Sequence, residues 1–505
     1  MRQPAAEEEL APAFDSPLRK STLIPATFNL VATIIGGGEL SLPLAFQKCG
    51  ILLATLLMIV AAIITDLSLW ILCLAARHSG AQDYGEVGRM AFGKQMEWFI
   101  SGLLFVFLLF VIVAYMILVR DIWTPLITKL PFLEGAPDDW ILCGICVVLS
   151  PFLVQKELHA LRYNCYVGFG SLAVLSIILC LRAWTTQMAH HSASATSSST
   201  EWDSIFVLQQ NATTTTIREY DIPTTTTEED NNHAKMTILW TSTRQFGDML
   251  FSLPIIVLVF LCHFNILPIQ AALVEPTPRR VRQVIHGAVG ACFGLLYVFG
   301  LAGYLSFGQA TKGNILLNLA DDDRFWVLVG RVGCGITVLF AMPMMVLPCR
   351  RNLLELLDNL MEQYEKHHSG VADPSRHNND DLASEEAGEL TRLLPTLISY
   401  SMRERTHMAE DATIHYVSTL LIVGGCYIAA VEAPGVAFVW SLCGSFMAYL
   451  ISFILPCICY LQIERKLITK EWGWIGFSWG LLVFAIASAI ACTTQTTYLL
   501  LFPKE

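Results

Sequence analysis

Long apolar stretches separated by short polar ones dominate the chain. The segments 22–48, 51–76, 98–119, 140–155, 163–182, 246–272, 284–306, 326–348, 413–431, 436–460 and 474–499 are apolar over most or all of a bilayer's thickness, and the pattern predicts eleven transmembrane helices. The fourth is the shortest. This divides the chain into a polar tail (1–20), spans one to five (21–182), a polar loop (183–245), spans six to eight (246–349), a second polar loop (350–412), spans nine to eleven (413–499) and a short tail (500–505).

The loops carry an orientation signal. With the first tail in the cytosol, the short cytosolic segments hold fourteen Lys and Arg residues and the short opposite segments six. An excess of basic residues marks the cytosolic side, so the N-terminus is expected inside and, with an odd number of spans, the C-terminus outside. The tail carries Glu7, Glu8 and Glu9 and resembles no signal peptide, so the first span is expected to serve as its own insertion signal. The loop 183–245 is rich in Thr and Ser and lacks an apolar period, which reads as disorder. It contains Asn211-Ala212-Thr213, an N-glycosylation acceptor on the side assigned as extracytosolic. The loop 350–412 is charged. Leu353, Leu354, Leu357, Leu360 and Met361 give it an amphipathic helix, either a solvated linker or a protein partner's site.

Composition agrees with a lipid-embedded chain. Only 15% of the residues are charged, against about a quarter in soluble domains. The net charge of -11 resides largely in the tail and the two loops, and no basic patch with interleaved aromatics supports nucleic-acid binding. The 15 cysteines lie mostly inside apolar runs, which argues against a disulfide framework. There is no phosphate-binding loop of an ATP-driven pump. Neither enzymatic activity nor a cofactor is expected.

Two spans contain residues that a membrane helix tolerates only for a reason. The first holds Gly36-Gly37-Gly38-Glu39 and then Pro43. Each glycine costs a helix roughly 1 kcal/mol relative to Ala, so the run predicts a discontinuous helix or a close-packing face. In a broken helix, freed N–H groups can hold an anionic group and freed carbonyls a cation. Glu39 is then a proton carrier, a partner for a substrate ammonium, or a carboxylate capping the free N–H groups. Asp66 in the second span is another ionisable candidate, better suited to a structural hydrogen bond. The sixth span carries Pro254 and the stretch Cys262-His263-Phe264-Asn265-Ile266-Leu267-Pro268. Interruptions in spans one and six suit the corresponding helices of two inverted repeats of five. His263 is a packing residue or a proton relay, and no second and third ligand makes it a metal site.

Four stretches, in order, resemble the amino acid/auxin permease family, within it the sodium-coupled neutral amino acid transporter group and its vacuolar relatives. They are Phe28-Asn29-Leu30 with Ile35 through Ala45; Tyr84-Gly85-Glu86 through Gly93; Cys262-His263-Phe264-Asn265 through Glu275-Pro276-Thr277; and Gly303 through Gly308 with Pro343 and Leu347-Pro348-Cys349-Arg350. The resemblance implies an all-α polytopic protein with about eleven transmembrane helices, a leucine-transporter-like 5+5 inverted repeat plus one extra helix. It also implies an amino acid substrate moved by alternating access. On this reading Thr33, Gly36, Gly37, Gly38, His263 and Asn265 bind substrate, and Glu39, Asp66 and Thr337 are coupling candidates. Two departures bear on the ion. Sodium-coupled members carry Asn where this chain has Ala32, and Thr where it has Ala341. Sodium needs oxygen ligands, which methyl groups cannot supply, although Thr337 lies one turn away. Proton coupling is therefore expected over sodium coupling. The alternatives are a sodium-coupled symporter, uncoupled transport, or an amino acid sensor signalling through 350–412. The plasma membrane and an acidic endomembrane such as a vacuole or lysosome both suit a proton-driven carrier.

Overall fold

The computed structural model describes residues 21–129, 135, 137–154, 164–210, 246–369, 412–467 and 471–502. The first half of the chain folds as α1 (Leu23–Ile34), α2 (Leu42–Cys49), α3 (Ile51–Ser79), α4 (Tyr84–Phe92), α5 (Lys94–Ile127), α6 (Asp138–Leu153) and α7 (Asn164–Gln210). Then come α8 (Phe246–Val259), α9 (His263–Ala272), α10 (Pro278–Phe307), the single turn α11 (Ile315–Asn318), α12 (Phe325–Ser369), α13 (Ala412–Glu432), α14 (Val436–Cys443), α15 (Leu455–Arg465) and α16 (Trp472–Leu501). Among the described residues no strand forms, and one isolated backbone bridge joins Ser21 to Leu273.

Nine helices among the described residues are long and apolar enough to cross a membrane, α8 with α9 and α14 with α15 each counting as one. The bent pair Leu23–Ile34 and Gly38–Cys49 brings the number to ten. The sequence predicts eleven. The difference is α6, whose 16 residues reach only about 24 Å against a hydrocarbon core of roughly 30 Å. It contains Pro151 and packs against α5, α12 and α13. Two predicted boundaries also move. Helix α7 continues past the expected loop start at 183 to Gln210, although its apolar part ends at Thr186. Helix α12 runs from the eighth span without interruption to Ser369, so the predicted amphipathic helix is its extension. The cause is local: neither Gly nor Pro occurs in 183–210 or 349–369, so nothing terminates the helices. Asn211 and the rest of the first loop lie outside the described residues, as do 1–20, 370–411 and 503–505.

The interior is mostly apolar, as in a soluble protein, but the outer surface is apolar too and some polar residues are buried. Leu56, Ile63, Leu420, Leu421, Val483 and Ile490 face outward, while Ser41, Ser68, His263 and Arg331 are buried. Helix α8 lies at the centre, against α2, α3, α14 and α16. A Cβ on Gly444 would stand 2.3 Å from the Pro254 carbonyl oxygen, so only glycine permits this approach of spans six and ten. After Gly444 the tenth span widens into two π-helical turns, Gly444–Ala448 and Leu450–Ile454. Pro456 explains the second: it has no N–H and its ring displaces the carbonyl four residues back, that of Ser452. Side chains take up the released carbonyls. The Ser68 hydroxyl donates to Ser452 O, and the Tyr84 hydroxyl donates to Ile451 O at 2.7 Å.

Candidate functional site

The first break forms where the glycines are. Helix α1 ends at Ile34, Gly37 takes φ +101°, and Gly38–Ser41 forms one 3-10 turn before α2, which carries Pro43 in its first turn. The two halves bend by 48°. Positive φ is open to glycine, and proline suits a helix start because it lacks the N–H that would be orphaned there. Glu39, only 7% exposed, turns back on the break, and its Oε2 accepts the Gly37 N–H at 2.6 Å.

Residues from distant elements close round this turn. Tyr115 of α5 lies on it: a Cβ at Gly36 would stand 3.1 Å from the Tyr115 hydroxyl, and one at Gly37 2.9 Å from its ring and 3.2 Å from Leu118. The Tyr115 ring meets Trp440 edge to face, with centroids 6.3 Å apart. Val259, the last residue of α8, comes within 3.6 Å of a Cβ position at Gly38, so the two breaks touch. The sequence reading missed Tyr115, Trp440, Leu118 and Val259. The only signal was a Tyr and a Trp inside apolar runs, which is as well explained by packing.

The second break spans Phe260–Cys262. The Phe260 and Leu261 amides bond three residues back, to Val257 and Leu258, instead of four. Helix α9 then starts at His263 and contains Pro268. The Asn265 amide donates to the Thr33 hydroxyl at 2.6 Å, and that hydroxyl donates to Asn29 O at 2.9 Å, joining the half-helices of spans one and six. Backbone bonds between Ser21 and the Ala272–Val274 segment tie α1 to the end of α9. On the other side, Lys48 of α2 pairs with Asp248 of α8 at 3.0 Å. Each half of span one is thus linked to one half of span six. Thr33→Val should leave the Asn265 amide without its acceptor in this part-buried bond and lower stability by about 0.5–1.5 kcal/mol. Thermal unfolding of T33V, N265A and the double variant checks this; strictly additive losses would show that the bond contributes nothing.

The other candidates lie apart from this turn. His263 is fully buried, neither ring nitrogen has a partner among the described residues, and its ring meets Phe453 edge-on at 6.4 Å. Two residues along a helix are about 200° apart, so His263 and Asn265 point to different neighbours. Asp66 of α3 bonds His286 of α10, Oδ1 to Nδ1 at 2.6 Å. The Thr337 hydroxyl donates to Gly333 O at 2.9 Å within α12, and its methyl group is directed at Gly168 of α7.

Comparison with known proteins places these features in context. The family described as "Transmembrane amino acid transporter protein" matches residues 19–498. Vacuolar amino acid transporter 7 of Saccharomyces cerevisiae is 23% identical over 333 residues, covering 65% of this chain and 58% of that protein. Putative sodium-coupled neutral amino acid transporter 11 of Danio rerio is 24% identical over 446 residues, covering 88% and 80%. Solute carrier family 38 member 10 of Homo sapiens is 22% identical over 482 residues, covering 92% of this chain but 35% of the human protein. Among solved structures, an Eremococcus coleocola manganese transporter is 10% identical with a TM-score of 0.39, covering 95% of this chain and 87% of that one.

Proposed function

Because this chain belongs to the transmembrane amino acid transporter family, we propose that it is a secondary carrier that moves an amino acid by alternating access around the paired breaks, with a proton as the coupling ion. The observation that carries this reading is the buried Glu39 carboxylate seated on the Gly37 N–H. In a broken membrane helix such N–H groups suit a substrate carboxylate. Two carboxylates cannot share one poorly hydrated turn at low cost. Protonation of Glu39 removes the charge that repels a substrate carboxylate and weakens its hold on the Gly37 amide, so proton and substrate enter together. The zwitterion and one proton then cross as a single positive charge. The side chains of Ala32 and Ala341 offer no oxygen to sodium.

The loop charges support a cytosolic N-terminus, which puts the Ser21 end of α1 and the end of α9 on the cytosolic side. A plasma membrane or an acidic compartment would supply the gradient. The test is uptake of radiolabelled amino acids into proteoliposomes under imposed proton or sodium gradients. Uptake driven by protons alone is the expected result. A requirement for sodium would overturn the coupling while leaving amino acid transport. Binding without flux under either gradient would replace the carrier with a sensor.

A further inference from the structure

One face of the tenth span carries buried polar atoms that no described residue satisfies. Tyr460 and Glu464, four residues apart, lie on one side of the helix, and Ser452 lies about two turns before them. All three are at most 1% exposed. The Ser452 hydroxyl, the Tyr460 hydroxyl and Oε2 of Glu464 have no hydrogen-bond partner among the described residues. The face packs on α3, where the Ser68 hydroxyl donates to Ser452 O at one level. Lower down, His78 comes within 3.3 Å of Glu464 through Nδ1, outside hydrogen-bonding alignment, and its ring centroid lies 6.4 Å from that of Tyr460. His263, with both nitrogens unpartnered, lies at the other end of the row against Phe453. It opens α9 four residues after Val259, which touches Gly38 beside Glu39.

Buried polar groups are rarely left unsatisfied, and those that no protein group reaches are commonly satisfied by ordered water. The other ionisable and charged groups here are engaged or set differently. Arg77 donates to Pro276 O, Lys466 donates to the Met90 and Ala91 carbonyls, and Tyr84 donates to Ile451 O. The second Glu464 oxygen accepts the Glu471 N–H at 2.9 Å. The thiols of Cys73, Cys457 and Cys459 are buried. His263, Ser452, Tyr460, Glu464 and His78 thus each hold an unpartnered polar atom along this packing, and His78, with its side chain 20% exposed, reaches the surface.

We propose that this series is a hydrated proton conduit between α3 and the tenth span, running from His263 beside the second break to His78 at the Ser79 end of α3. A proton released near the breaks hops along hydrogen-bonded water and the two hydroxyls to the Glu464–His78 pair and then to bulk water, and no bond to substrate is made or broken. This rests on the proton-coupled reading above and adds its exit route.

The experiment compares wild type with Tyr460→Phe, Glu464→Gln and His78→Gln in proteoliposomes. It measures proton-driven net uptake, proton movement with a trapped pH dye, and amino acid exchange at equal pH on both sides. Exchange returns the loaded carrier without releasing its proton, so it bypasses the conduit. The expected result is a roughly tenfold fall in net uptake and proton movement with exchange unchanged. Parallel loss of net uptake and exchange would reduce these residues to packing, and unchanged net uptake in all three variants would also overturn the conduit. Tyr460→Phe removes one oxygen atom only and guards against a variant that fails to fold. A wild type that exchanges amino acid but moves no proton would sink proton coupling itself, and the conduit with it.

Discussion

Carriers with Glu39→Gln are expected to lose the acid stimulation of amino acid uptake. The glutamine amide oxygen can accept the Gly37 N–H as Oε2 does at 2.6 Å, so the turn keeps its cap. It cannot take up a proton in the working range, so the event that would clear the N–H for a substrate carboxylate is removed. Coupling between two bound species is typically about 1–3 kcal/mol, roughly 5–150-fold in affinity, and the loss of proton stimulation should fall in that range. The check is initial uptake against external pH at fixed substrate. Wild type should rise as the pH falls and E39Q should stay flat; an E39Q profile that still rises with acid would remove Glu39 from coupling. Glu39→Ala separates the structural contribution. It leaves the Gly37 amide unsatisfied, which costs about 1–3 kcal/mol for a buried group, so E39A should be less stable than E39Q.

Gly37→Ala should abolish transport and destabilise the protein, whereas Gly38→Ala should be mild. At Gly37 two penalties coincide. The backbone has φ +101°, where a Cβ adds about 1–2 kcal/mol of strain. The new methyl would also stand 2.9 Å from the Tyr115 ring and 3.2 Å from Leu118, and such overpacking adds about 1–3 kcal/mol. At Gly38 the nearest atom is a Val259 methyl at 3.6 Å, an ordinary contact. Gly36 is intermediate, because its neighbour at 3.1 Å is the Tyr115 hydroxyl, which Tyr115→Phe removes. The order of damage should therefore be Gly37, Gly36, Gly38, with Gly36→Ala partly restored by Tyr115→Phe. Thermal unfolding and uptake of the three alanine variants test this. Equal effects at all three positions would mean that the glycines serve a general packing face.

The two predictions draw differently on sequence and structure. That Gly36, Gly37 and Gly38 interrupt a helix was legible from composition, because three adjacent glycines and a following proline weaken helix locally. That Gly37 alone takes positive φ, and that Tyr115 lies on it, was not. Tyr115 is 78 positions away in the chain, and nothing in its own neighbourhood distinguishes it from a packing tyrosine. Among the three roles open to Glu39 from sequence, the structure displays the cap, and the proposed coupling builds on it. Thr33 and Asn265 were both read as site residues, but their mutual hydrogen bond needed the two half-helices placed side by side. Asp66 and Thr337 were read as coupling candidates, Asp66 being better suited to a structural hydrogen bond. The bonds they make are to His286 and to Gly333.

What the sequence by itself determined are properties fixed over a few residues or by the solvent. The bilayer demands runs of about twenty apolar residues, and a glycine run or a proline disrupts the hydrogen-bond ladder wherever it falls. Hence the long apolar helices and the breaks in spans one and six could be read directly, apart from α6, which is shorter than a full span, and the helix extensions to Gln210 and Ser369. Only the tertiary structure decided which residues share a site. Glu39 facing its own backbone under Tyr115, the crossed links between half-helices, and the unsatisfied face of span ten against α3 all join residues far apart in the chain. Such contacts depend on how each helix is turned about its axis. In a membrane span that is apolar nearly all round, packing against neighbours sets this rotation, and the sequence of the span alone leaves it open.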